Sequence, residues 1–394
     1  MLFINDISVS GKAVFIRCDF NVPIDQDSQI NDDRRIREAL PTIRYAIDEK
    51  AKVILASHLG RPNGYDKRLS LKPVARRLET LLHADVPLAP DCIGKSVTDM
   101  IAKMKPGEVI LLENLRFHKE ETENGPTFAK ALAQLAQIYV NNAFGTSHRK
   151  HASIFGMPKV MDVAVAGFLL KKEISYFKKV LDNPVRPFVS ILGGAKLEGK
   201  IDAIKNLLSL SDKILIGGKM AFPFIVALGK EIGIHYDDKI LNTAKEILSK
   251  LKTTKKRFYL PVDLVVTDNI DSGSAVKIVP VEEIPKGWYG TDIGPATVKL
   301  FGEAIADART ILWNGPMGIY ENDLFSRGTF SIAHYIADSY ALTVVGGGDT
   351  ADAVYRAQEA ENMSFISTGG GAALELISGK KLPGLEILEE KQNE

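Results

Sequence analysis

Ala341-Leu-Thr-Val-Val-Gly-Gly-Gly-Asp-Thr-Ala-Asp-Ala-Val354 decides how the rest of the chain is read. Leu342 to Val345 read as a buried strand, three glycines follow, and Asp349 and Thr350 open a helix. Glycines let a backbone turn tightly and aim successive N–H groups at one anion. The helix N-terminus adds its dipole to that cradle. Asp349 and Thr350 supply oxygen atoms suited to a hard cation between protein and phosphate. Alone, the stretch serves equally as a plain glycine-rich turn in an α/β sheet, and its neighbours must decide.

The pattern recurs on either side. Phe188-Val-Ser-Ile-Leu192 ends in Gly193-Gly-Ala-Lys196, and a helix carrying Ile201, Ile204 and Leu208 follows. Lys213-Ile-Leu-Ile216 ends in Gly217-Gly218, and Asp238 to Leu251 reads as a helix. Thr310-Ile-Leu-Trp313 ends in Asn314-Gly-Pro-Met-Gly318, and the chain later reaches Phe365-Ile-Ser-Thr-Gly-Gly-Gly371. Repeated glycine turns on one sheet edge point to a backbone that meets a polyphosphate or its adenosine at close range. No Gly-x4-Gly-Lys-Ser/Thr is present, so this is not a P-loop. No Gly-x-Gly-x-x-Gly follows a first strand with an acid about 20 residues on, which weighs against a dinucleotide site.

The first half alternates in the same way with different strand ends. Ala13-Val-Phe-Ile-Arg-Cys18 is a short, almost wholly apolar strand that runs into Asp19-Phe-Asn-Val-Pro23. Asp32 or Asp33 can cap a helix with apolar positions Ile36, Leu40, Ile43 and Ile47, in which Pro41 predicts a kink or a reset. Lys52-Val-Ile-Leu-Ala-Ser57 leads to His58-Leu-Gly-Arg-Pro62, and Pro73 starts a helix with Val74, Leu78 and Leu82. Glu108-Val-Ile-Leu-Leu112 leads to Glu113-Asn-Leu-Arg116, Pro126 to Gln137 is a helix, and Ile138-Tyr-Val140 leads to Asn141-Asn-Ala-Phe-Gly-Thr-Ser-His-Arg149. Alternating strands and helices predict parallel, doubly wound sheets. Ligands bind at the C-terminal edge of such a sheet, which gathers Asp19, Asn21, His58, Arg61, Arg116 and Arg149 on one rim.

At 394 residues two domains are the default. The helix around Lys171 to Leu181, stopped by Asn183-Pro184, is the natural link. The expected division is residues 1–170, a linking helix over 171–184, a second domain over 185–378 and a tail over 379–394. Net charge is +1, which gives no electrostatic case for nucleic acid or an anionic membrane. Arginines are nonetheless concentrated before Val160, including Arg17, Arg34, Arg35, Arg37 and Arg44, and the first half looks built to grip an anion. Cys18 and Cys92 form no disulfide framework. No signal peptide or membrane span is legible, so a cytoplasmic protein is expected.

Nine stretches now fit one family. Asp19-Phe-Asn-Val-Pro23, Ser57-His-Leu-Gly-Arg-Pro62, Glu113-Asn-Leu-Arg-Phe-His118, Ala143-Phe-Gly-Thr-Ser-His-Arg149, Gly193-Gly-Ala-Lys196, Asp292-Ile-Gly-Pro295, Trp313-Asn-Gly-Pro-Met-Gly318, Gly346-Gly-Gly-Asp-Thr350 and Ser367-Thr-Gly-Gly-Gly-Ala372 resemble phosphoglycerate kinase, in that family's order and over nearly the whole chain. The resemblance implies a first domain that binds 3-phosphoglycerate or 1,3-bisphosphoglycerate through Asp19, Asn21, Arg35, His58, Leu59, Gly60, Arg61, Arg116, His148 and Arg149. It implies a second domain that binds ADP or ATP with Mg2+ through Lys196, Lys200, Gly217, Gly315, Glu321, Gly347, Gly348, Asp349 and Thr350, with Asp349 as the metal carboxylate. It further implies a hinge-bending monomer whose tail packs back on the first domain, and a carboxyl-group phosphotransferase (EC 2.7.2.3) of glycolysis. Three positions depart from the family's usual residues: Lys219 for Gly, Asn142 for Asp and Phe365 for His.

That reaction requires no enzyme nucleophile. In the direction of ATP use the attacking group is a substrate carboxylate, ionised at pH 7, so no general base is required either. It requires in-line alignment and neutralised charge on the moving phosphoryl, and Lys196 and Arg35 are the residues expected to supply that. A nucleotide-dependent ligase or dehydrogenase, and a non-catalytic module that keeps the fold, are the rival readings. Retention of Arg35, Lys196 and Asp349 argues against the module.

Overall fold

Ala13–Cys18 (β1) lies in the middle of the first sheet and is buried from Val14 onward. A strand covered by helices on both faces has no solvent side, so the alternation of an exposed strand disappears. The structure is a computed structural model and describes residues 1–232, 235–271 and 275–393. β2 (Lys52–Ala56), β3 (Val109–Leu111), β4 (Ile138–Asn142) and β5 (Ala164–Ala166) join β1 in a parallel sheet of order β3-β2-β1-β4-β5. The chain works outward from β1 to β3, then resumes on the other side at β4. The connections after β1 and β4 therefore leave in opposite directions and open a crevice at their C-terminal ends.

The first long helix, Arg34–Asp48, passes through Pro41 without the expected reset. Ile36, Leu40 and Ile43 all remain buried, and packing of that face outweighs one lost N–H bond. Asp33 occupies the N-cap position, but its carboxylate accepts from Arg37 Nε (2.9 Å) and Arg77 Nε (2.8 Å). Asp32 Oδ1 instead takes the Arg34 N–H (2.9 Å). The helix from Pro126 ends at Ala133 rather than Gln137. Gln137 is needed elsewhere, because its N–H bonds Ala13 O and its side chain accepts the Ala13 N–H (both 2.9 Å), starting the β1–β4 ladder.

The second unit carries β6 (Phe188–Leu192), β7 (Lys213–Ile216), β8 (Arg257–Tyr259), β9 (Asp263–Thr267), β10 (Val276–Pro280), β11 (Tyr289–Ile293), β12 (Thr310–Asn314), β13 (Leu342–Gly346) and β14 (Phe365–Ile366). Six of them form a parallel sheet of order β14-β13-β12-β6-β7-β8. Its reversal point lies between β6 and β12, the strands that lead into Gly193 and Gly315. The other three form an antiparallel sheet of order β10-β9-β11, which the sequence reading lacked. β10 is largely exposed and β11 slips register between Gly290 and Asp292, so neither shows a clean strand pattern.

The chain divides into Met1–Ser175 with Lys381–Glu394, and Tyr176–Lys380. The boundary falls inside the helix Phe168–Leu181, which begins ahead of the expected Lys171. Thr42 Oγ1 accepts the Phe168 N–H (2.8 Å) and Asn142 Oδ1 accepts that of Leu169 (3.1 Å). Asn142, one of the family departures, thus caps this helix at its start. The final helix, Pro383–Asn393, belongs to the first unit, where Gly384 N–H bonds Ser147 O (2.8 Å).

Candidate functional site

Loops at the C-terminal ends of β1 to β4 bring most of the expected residues of the first unit together. Arg35 Nη1 donates to Asp19 Oδ2 (3.1 Å) and to Asn21 O (3.2 Å). Gly60 is held from two sides: Asn21 Oδ1 accepts its N–H (2.8 Å) and Arg116 Nη1 donates to its carbonyl (2.6 Å). Arg116, Arg149 and the exposed Arg61 line one cleft of about 490 Å³. Arg149 Nε donates to His148 Nε2 (3.2 Å). Leu59 differs from the rest. Its side chain is buried, and Asn114 takes both its N–H (3.2 Å) and its carbonyl (2.8 Å). It supports Gly60 and offers no group of its own.

Behind the rim lies a layer that sequence reasoning did not assemble. Arg17, near the C-terminal end of β1, is wholly buried. Its Nε donates to Ser153 Oγ (2.8 Å), and its other nitrogens donate to Cys18 O and to His58 Nδ1 (3.2 Å). Glu121, equally buried, accepts the Ser153 N–H (2.9 Å) and hydroxyl (2.6 Å) and lies 4.0 Å from Arg17. A signal existed in the sequence: one arginine in an otherwise apolar buried strand must find a partner.

This layer sets the chemistry of the rim. Burial, then Arg17, Arg116 and Arg35, push the His58 pKa well below its ordinary value, so the ring is neutral at pH 7. With Nδ1 accepting from Arg17, the hydrogen-bond network assigns the proton to Nε2, which is left as a donor. Burial and the same guanidinium field, led by Arg17, lower His151 to about 3. Arg116 is lowered to about 10 by burial and by Arg17 and Arg149. Its Nε is buried with no partner among the described residues. A cluster of cations that raise one another's energy is relieved by an anion.

In the second unit the site is centred on the reversal point of the sheet. Lys200 Nζ donates to Gly193 O (2.7 Å) and Asn314 O (2.9 Å), tying the ends of β6 and β12 together. Gly315 has φ +103°, and a Cβ there would collide with the Gly193 carbonyl, so only glycine allows this approach. Burial depresses the Lys200 pKa to about 8, against a raising effect from Asp349. Lys196 is exposed beyond Gly194.

Beside this point is a cavity of about 270 Å³ with largely apolar walls, including Phe222, Leu264 and Met317, and with Glu321 and Asp349 among its polar groups. Such a lining suits a flat heterocycle with polar attachments. The antiparallel sheet contributes Leu264, Gly290 and Asp292 to it, so part of this wall went unread in the sequence. Lys219 also lines it, which places that departure at the cavity. Gly217 is buried, where a Cβ would strike Met317. Gly347 (φ +100°) precedes the helix Gly348–Arg356, which puts Gly348 and Asp349 at an exposed helix start. Thr350 turns inward and its hydroxyl accepts the Gly315 N–H (2.6 Å).

Asp292 acts one step back. It accepts N–H bonds from Gly328 (2.5 Å) and Ile293 (2.9 Å), and burial raises its pKa to about 7. Gly328 lies in the first turn of the helix Arg327–Ala337, whose Thr329 hydroxyl accepts the Met317 and Gly318 N–H groups. Phe365, the third departure, stacks on Tyr176 with centroids 4.5 Å apart.

Two doubly wound units, one edged by arginines and one by glycine turns beside an apolar cavity, define an α/β phosphoryl-transfer enzyme. The family model described as phosphoglycerate kinase matches residues 4–380. The chain belongs to the phosphoglycerate kinase family, whose glycolytic reaction passes a phosphoryl group from 1,3-bisphosphoglycerate to ADP and, in reverse, from ATP to the carboxyl group of 3-phosphoglycerate. It is 54% identical to the phosphoglycerate kinase of Nautilia profundicola over 385 residues, 97% of each chain. It is 53% identical to that of a Geobacter species over 392 residues, 99% of this chain and 98% of the other. The solved phosphoglycerate kinase of Coxiella burnetii superposes with TM-score 0.87 at 37% identity, covering 99% of both chains. The dehydrogenase and ligase readings are set aside.

Proposed function

We propose that the arginine rim of the first unit takes 3-phosphoglycerate or 1,3-bisphosphoglycerate, and that the glycine-edged site of the second takes MgADP or MgATP. The observation that carries the first half is Arg116 Nε, a buried donor without a partner among the described residues, set in a field of other guanidinium groups. An oxygen of a phosphate or carboxylate satisfies it. Arg61 and Arg149 share its cleft, and His58 offers a neutral N–H donor. Asp19 and Asn21 keep Arg35 and Gly60 in place.

For the second half, the start of the helix Gly348–Arg356 presents N–H groups and a positive dipole end to a phosphate. Asp349 is a single carboxylate at that point, and Mg2+ is commonly held by one or two carboxylates together with substrate phosphates. The metal, when it arrives with the nucleotide, neutralises phosphate oxygens. Asp349→Ala is expected to weaken MgADP binding on the order of 10-fold or more, a loss comparable to that of a metal's outer-sphere partner, and to leave metal-free ADP nearly unaffected. Titration calorimetry with and without Mg2+ reads this, and an unaltered magnesium dependence sinks the role.

Transfer is direct and in line. Lys196 follows the moving phosphoryl and Arg35 neutralises it from the other unit, which assigns charge stabilisation to both and proton transfer to neither. Because the substrates are held by different units, turnover needs the units to close about the helix Phe168–Leu181 and exclude water, or the acyl phosphate hydrolyses. Small-angle scattering should show a smaller radius of gyration with 3-phosphoglycerate and MgATP together than with either alone. Equal radii would remove closure from the mechanism. The chain acts as a monomer in the cytoplasm on this reading. No helix among the described residues is long and apolar enough to cross a membrane.

The Lys200 ammonium adds a pH signature. Its pKa is lowered to about 8, so it loses its proton at a lower pH than an ordinary lysine does. Nucleotide KM is expected to rise as pH climbs through about 8, with kcat less affected. Lys200→Met removes that step, and a step that persists in the variant belongs to another group.

A further inference from the structure

The segment before Cys92 runs beside β3, with Leu88 bridged to Leu111, and delivers Asp91 and Cys92 to the end of that strand. His118 reaches the same place from the turn Leu115–Phe117. Asp91 Oδ1, Cys92 Sγ and His118 Nε2 all lie within 4.8 Å of one another. Asp91 Oδ1 is 2.6 Å from His118 Nε2 and also accepts the Cys92 N–H (2.6 Å). The thiol donates to Glu113 O (2.9 Å). The His118 ring is stacked on Phe128 at 4.9 Å, which fixes its plane.

We propose that Asp91, Cys92 and His118 form a binding site for a borderline-soft divalent cation of the Zn2+ class, separate from the substrate sites. The donor set is one oxygen, one sulfur and one nitrogen. That mixture selects Zn2+ over Mg2+ or Ca2+, which take oxygen ligands. A thiolate and a carboxylate balance the charge of the ion. On binding, the thiol gives its proton to solvent and its bond to Glu113 O is lost. The imidazole carries its remaining proton on Nδ1 and turns the Nε2 lone pair to the metal, in place of the contact with Asp91. Cys92 is buried while Asp91 and His118 are partly open, at 47% and 25% side-chain exposure. A fourth ligand position therefore faces water. An Asp91–His118 pair and a Cys92 thiol bonded to Glu113 O account for these groups in the absence of metal, and what points to a cation is that an oxygen, a sulfur and a nitrogen donor converge within 4.8 Å. Bound metal would clamp the 91–92 loop to the turn that carries Arg116, adding a tie within the first unit.

Cobalt supplies the test, with the reduced full-length protein and no nucleotide. Co2+ is expected to produce a near-ultraviolet thiolate-to-cobalt absorption band that saturates at one equivalent and is bleached by Zn2+. The band should vanish in Cys92→Ser and persist in Cys18→Ser, because the second cysteine lies in β1. His118→Gln should weaken zinc affinity at least 10-fold, measured by competition with a chromophoric chelator, while turnover without zinc stays at the wild-type value. Zn2+ should raise the melting temperature of the wild type and not of His118→Gln. Absence of the band, its survival in Cys92→Ser, or equal zinc affinity in His118→Gln overturns the proposal. If Cys92→Ser does not fold, the His118→Gln affinity decides.

Discussion

Arg35→Ala should lower kcat by roughly 10²–10³-fold, the cost of removing one donor aimed at transition-state charge, while ADP affinity stays within about twofold. The split follows from where Arg35 sits. It stands at the start of the helix Arg34–Asp48 in the first unit, with Nη1 shared between Asp19 and Asn21 O, whereas the cavity proposed to hold nucleotide is lined by residues of the second unit. On the proposed mechanism its other guanidinium N–H groups meet the transferring group. Arg35→Lys keeps the charge but loses the planar fork, so it should recover only part of the loss. Steady-state turnover and calorimetric ADP binding check the two halves separately. An unchanged turnover number takes Arg35 out of the mechanism. A parallel fall in ADP affinity would mean that the substitution disturbs more than the moving charge.

The second large effect is on stability. Glu121→Ala removes the carboxylate that faces Arg17 inside the first unit, where both side chains are wholly buried. Breaking one side of such a pair leaves an uncompensated charge in low dielectric and costs about 3–5 kcal/mol. It also strips Ser153 of two acceptor contacts. Both tryptophans, Trp288 and Trp313, lie in the second unit, so their fluorescence reports the wrong half. Hydrogen exchange at the β1 and β4 amides is the proper readout, and protection there should collapse while the tryptophan transition moves little. Replacing Arg17 and Glu121 together by methionines should restore much of the loss, because a buried pair exchanged for apolar groups is often neutral. Equal protection in Glu121→Ala and wild type would show that Arg17 is satisfied by Ser153 and the backbone alone.

Arg35 became a candidate through the family resemblance, and the structure sets its Nη1 on Asp19 and Asn21 O. The parallel strands were legible from their own residues. A strand buried on both faces must be apolar along its length, and the polar residue after it marks the sheet edge. Glycine turns at Gly193, Gly217 and Gly347 were equally plain, since few other residues meet those backbone demands.

Other features needed contacts between distant segments. Glu121 pairs with Arg17 across more than a hundred residues, and neither position announces the other. The antiparallel sheet was missed because β10 is an exposed edge strand and β11 is bulged. Leu59 and Thr350 stand in motifs expected to bind, yet the structure turns Leu59 and the Thr350 hydroxyl inward to hold Gly60 and Gly315. A motif shows which residues gather at a strand end and does not show which of them face solvent.

The sequence by itself thus determined two α/β units, a family and the edge of each sheet where the arginines and glycine turns gather, because strand burial and glycine turns are local constraints. Only the tertiary structure decided that Lys200 ties β6 to β12, that Arg17 fixes the His58 proton, and that a buried arginine donor is left open to an anion. Those facts are set by burial and by charges brought together from remote parts of the chain, and the field at a buried group is the sum over neighbours that local sequence does not identify.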